Sequence, residues 1–134
     1  MGQLDLTAQL VATPQCGSGS FPSGITNVNF GLYPPCNGKA YSVSTGVQVA
    51  NVNSPSAYAP LGGIGSGGPV THCNTLYLRT TTAVNVQITF ATSATATIPG
   101  LLGALLLESG VGDEITGVAI EGSATVEYAA FGNS

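Results

Sequence analysis

Cys16, Cys36, Cys73 and His72 are the residues of this chain best suited to ligate a metal or attack a substrate. Three thiols and one imidazole have the count of a tetrahedral zinc site. Closed zinc motifs, however, space their ligands in short pairs such as Cys-x-x-Cys, whereas His72 and Cys73 are adjacent and no Cys-x-x-Cys occurs. No metal site is expected. Cys16 and Cys36 both fall in Gly- and Pro-rich stretches and could form a disulfide if the protein leaves a reducing compartment. Three small buried thiols are the simpler reading. As a nucleophile pair, Cys73 and His72 fare poorly, because neighbours on a strand point to opposite faces. Gly17-Ser18-Gly19 and Gly65-Ser66-Gly67 lack the strand-turn-helix setting of a nucleophile elbow. His72 could meet serine and aspartate partners only through the tertiary fold. No catalytic residue, no cofactor and no enzymatic activity are expected.

The acids Glu108, Asp113, Glu114, Glu121 and Glu127 gather toward the C-terminus. Asp113-Glu114 sits in a glycine-rich turn, but the Asp-x-Asp-x-Asp pattern of a calcium loop is absent, so a solvated turn is expected. The glycines between 62 and 68 are not followed by Gly-Lys-Ser/Thr and make no phosphate loop. Tyr58, Tyr77 and Tyr128 could form a sugar platform, although the last two lie in strand patterns and read as core or interface. With net charge −4 and only Lys39 and Arg79 positive, binding to nucleic acid or to an anionic membrane is excluded. The longest apolar run, residues 98–107, contains Pro99, Gly100 and Gly103 and falls short of the ~20 residues of a membrane span. Met1-Gly2-Gln3-Leu4-Asp5 has neither the positive nor the apolar region of a secretory signal peptide, so synthesis in a cytoplasm is expected.

The elements that would position these residues alternate with period two. Leu4, Leu6, Ala8, Leu10 and Ala12 share a face, and residues 13–20 read as a loop, so 1–20 could be an extended N-terminal arm. Val28, Phe30 and Leu32 mark a short strand. Tyr41, Val43, Thr45, Val47 and Val49 mark a clear one. Residues 53–69 hold Pro55, Pro60, Pro69 and several glycines, and read as a long Gly/Pro-rich loop. Within it Tyr58, Leu61 and Ile64 are candidate partner contacts. Strand signals then follow over 76–90, 92–98, 101–108, 115–120 and 124–130, with breaks at Pro99-Gly100, 109–114 and Gly122-Ser123. About eight strands and no helix give an all-β, single-domain antiparallel β-sandwich of jelly-roll type spanning 1–134.

Charge is sparse: 6% of residues are charged, against about 25% in ordinary soluble domains. Spread over roughly 6,500 Å² of monomer surface, that is about one charge per 800 Å². Coverage by other subunits would remove the need for a charged exterior.

The series Leu76-Tyr77-Leu78-Arg79-Thr80, Val84-Asn85-Val86-Gln87-Ile88-Thr89-Phe90, Leu105-Leu106-Leu107-Glu108 and Ile115-Thr116-Gly117-Val118-Ala119-Ile120-Glu121-Gly122-Ser123-Ala124-Thr125-Val126-Glu127-Tyr128 resembles small virion structural proteins of tailed bacteriophages. The resemblance, over residues 75–132, is one of style and strand order. It implies a non-enzymatic capsid decoration or cement protein, located in the virion. Its expected partners are the major capsid protein and itself, as a homotrimer, with arm 1–20 and loop 53–69 reaching neighbours. The alternative it implies is a receptor- or glycan-binding module of a phage fibre or tail.

Overall fold

The computed structural model describes residues 41–134. The strand signals over 4–12 and 28–32, the arm 1–20 and the Cys16–Cys36 pair lie outside these described residues. Five strands are formed: β1 (Val43–Ser44), β2 (Gln48–Pro60), β3 (His72–Phe90), β4 (Thr95–Glu108) and β5 (Ile115–Asn133). All pairings between them are antiparallel, in the order β1-β5-β3-β4, with β2 also on β5. The described residues are thus all-β and contain no helix, and so none long and apolar enough to cross a membrane.

The sheet is curled into a half-barrel, and its core follows from residue parity. On β3 the even positions Leu76, Leu78, Val84, Val86 and Ile88 are buried, and on β5 so are Val118, Ile120, Val126, Tyr128 and Ala130. Period-two alternation places each set on one face, and the register puts Leu78 beside Tyr128 and Val86 beside Ile120. Apolar stretches on this face thus lie on both sides of residues 80–82 on β3 and of Gly122 on β5, two 19-residue strands. Burying them against each other requires the strands to bend. The β3–β4 register slips between Thr80 and Val84, and Gly122 takes φ +138 where an added Cβ would lie 3.0 Å from Val84 Cγ1.

Three sequence expectations change. Pro99-Gly100 and Gly122-Ser123 are a bulge and a bend inside continuous strands, because neighbouring strands carry the chain through them. The segments read separately over 92–98 and 101–108 are thus one strand, β4, which starts at Thr95 after a turn, and those over 115–120 and 124–130 are one strand, β5. Residues 53–60, read as loop, belong to β2, which resumes its pairing with β5 at Ala59 after a register shift. Finally, the odd-numbered face proposed for 41–49 is split. Val43 packs on the core, but past Gly46 (φ +64) it is Ala50 and Val52 that do so, and Val49 is 64% exposed.

The connection 61–71 closes one end of the half-barrel. Leu61, Ile64 and Val70 are buried in the main core, and Ile64 and Val70 form a parallel bridge. Leu61 N–H donates to Val118 O at 2.8 Å and Gly65 N–H to Val70 O at 2.8 Å.

Candidate functional site

Among the described residues, strand β4 forms one edge of the sheet, with β3 its one strand neighbour. Sheet edges carry unpaired backbone donors and acceptors and are normally guarded by charges, prolines or bulges. Here guards sit at both ends, and within the run the register with β3 shifts between Thr80 and Val84 and Gly103 takes φ +95. Pro99-Gly100 bulges between the pairs Val86–Ile98 and Val84–Leu101, and Glu108 closes the far end. Between them, residues 101–107 read Leu-Leu-Gly-Ala-Leu-Leu-Leu with no charge.

Alternation divides this run. Leu101, Leu105 and Leu107 pair with Val84, Leu78 and Leu76 and pack against the core. Leu102, Ala104 and Leu106 lie on the outer face, where Leu102 is 66% exposed. The run is anchored from behind. Thr80 donates its hydroxyl to Leu101 O at 3.2 Å, and Asn85 Oδ1 accepts from Gly100 N–H at 3.0 Å while its Nδ2 donates to Glu121 Oε1 at 2.9 Å. Asn85 thereby ties the bulge of β4 to β5 across the intervening strand.

Beside the run, the outer face carries a small cluster of its own. Ala129 and Phe131 are buried against Tyr41, Tyr77 and Leu106, with the Tyr41 and Phe131 rings edge to face at 5.2 Å. Tyr77 donates to Glu127 Oε1 at 3.2 Å; burial first, then the Glu127 carboxylate, holds its phenol above the usual tyrosine range. Farther along, uncharged pairs bond across β2 and β5: Thr125 to Asn51 at 3.1 Å and Ser123 to Asn53 at 3.0 Å.

The residues singled out by sequence are scattered. Leu61 and Ile64 serve the chain's own core, which leaves Tyr58, half-buried on β2, as the accessible member of that trio. Tyr128 is buried, donates to Gly62 O at 2.9 Å, and backs a groove of about 270 Å³ with Thr45, Gln48, Gly62, Gly63 and Pro69. Tyr58, Tyr77 and Tyr128 therefore form no common platform. His72 is exposed and its Nδ1 lies 3.0 Å from Thr71 Oγ1, while Cys73 is fully buried with Sγ 3.2 Å from Thr75 O. The turn at 109–114 has Glu114 accepting from Gly112 N–H at 3.1 Å; backbone donors, its own and that of Gly112, hold this carboxyl below its ordinary range. Among the described residues no three His, Cys, Asp or Glu side chains group as metal ligands.

From sequence the run 101–108 reads as a buried strand or a short helix, with its length and the neighbouring strands favouring a strand. Its apolar composition is clear in the sequence, but whether a strand is central or terminal depends on long-range pairing. No family model, no characterised protein and no solved structure matches this chain.

Proposed function

We propose that the chain is a non-enzymatic structural component of a virion, of the kind that decorates an assembled capsid. The observation that carries this reading is the uncharged apolar run 101–107 on β4, an edge strand among the described residues. A long apolar edge is a liability in a protein that stays alone and an asset in one that is built into an assembly. The resemblance of residues 75–132 to phage head proteins supplies the class of assembly. Sparse charge supports it too, since a subunit covered by neighbours needs little repulsion to stay dispersed. A protein that binds the assembled shell and not its free subunits stabilises the shell by mass action. Synthesis in the host cytoplasm and residence in the virion follow from that role.

Mixing the purified chain with shells of its cognate major capsid protein tests the reading. Co-sedimentation at micromolar concentration and a raised disassembly temperature are expected. Shells that pellet without the chain would overturn it.

A further inference from the structure

No further inference is drawn: the strongest candidate, the groove of about 270 Å³ that Thr45, Gln48, Gly62, Gly63, Pro69 and Tyr128 line beside the connection 61–71, holds no charged side chain and has its Tyr128 hydroxyl already bonded to Gly62 O, so nothing in the structure shows what would occupy it.

Discussion

Cys73 bridges Ile115 at the start of β5 while also standing opposite Gly132 near the end of the same strand. Fully extended, a 19-residue strand holds its ends roughly 60 Å apart. Both ends of β5 can meet one residue of β3 only if the sheet curls closely on itself. Cys73 and Ile115 are each wholly buried at this closure. The curl is what converts a one-sided sheet into a core, since the inner faces of β3 and β5 have no second layer among the described residues to cover them.

Ile115→Ala should therefore be costly. Truncating a buried isoleucine costs about 2–5 kcal/mol when the site cannot collapse, against about 0.5–1.5 kcal/mol for Ile115→Val. Urea denaturation of the pair of variants checks this. An alanine cost below about 1 kcal/mol would mean that the two ends of β5 are not held together.

Gly65 supplies a second test, at the plug. It has φ +88, and a Cβ built there would lie 2.2 Å from Thr116 O. The atoms it would meet are all backbone of Thr116 and Gly117, so no flexible side chain can give way. Gly65→Ala should destabilise by more than the ~1 kcal/mol that a glycine-specific φ alone costs, and should loosen Leu61, Ile64 and Val70 together. Gly67→Ala is the control, with a similar φ of +86 and open space around the Cβ position. Equal urea midpoints for the two variants would sink the plug assignment.

How much of this was legible in sequence depends on range. Alternation over 84–90 and 124–130 is local, and it correctly selects Val84, Val86, Ile88, Val126, Tyr128 and Ala130 as one face. Strand count was not legible, because Pro99-Gly100 and Gly122-Ser123 look identical whether they end a strand or bend it, and only the pairing partners decide. The residues 61–71 show the same limit from the other side. Leu61 and Ile64 lie among glycines and prolines, so composition suggests an outward contact, while the curl of a sheet formed by later residues draws them inward. Edge and centre are likewise a property of the whole topology, which is why Leu102 drew no notice.

Alkaline pH should separate Tyr128 from ordinary surface tyrosines. Its phenol is held above the usual tyrosine range chiefly by burial, opposed in part by the Gly62 backbone contact, and Tyr41 and Tyr77 are raised as well. With the folded value above the unfolded one, the unfolded chain loses its proton first. The tyrosine contribution to stability is then constant below about pH 10 and is lost as pH rises through the interval up to the folded value. Tyr128→Phe should lower stability at pH 8 by about 1 kcal/mol, through loss of the bond to Gly62 O, and should flatten the decline above pH 10. Unfolding midpoints measured from pH 8 to 11.5 give both numbers, and a variant as pH-sensitive as the parent would contradict the assignment.

Asn85 should control the edge without belonging to it. Its amide accepts from Gly100 N–H and donates to Glu121, so one side chain fixes the bulge that ends the apolar run of β4. Asn85→Ala removes both bonds, leaves Gly100 N–H to water, and should cost about 1–2 kcal/mol globally. Its larger effect should be local. Amide exchange over 98–103 should accelerate well beyond that global change, because Gly100 loses its side-chain tether while the backbone pairing of β3 with β5 is untouched. Asn85→Asp keeps the acceptor for Gly100 but sets a second carboxylate against Glu121, so it should restore slow exchange at Gly100 only when pH is low enough to neutralise one of the acids. Uniform acceleration across β3, β4 and β5 in Asn85→Ala would show that the residue supports the sheet as a whole and does not govern its edge.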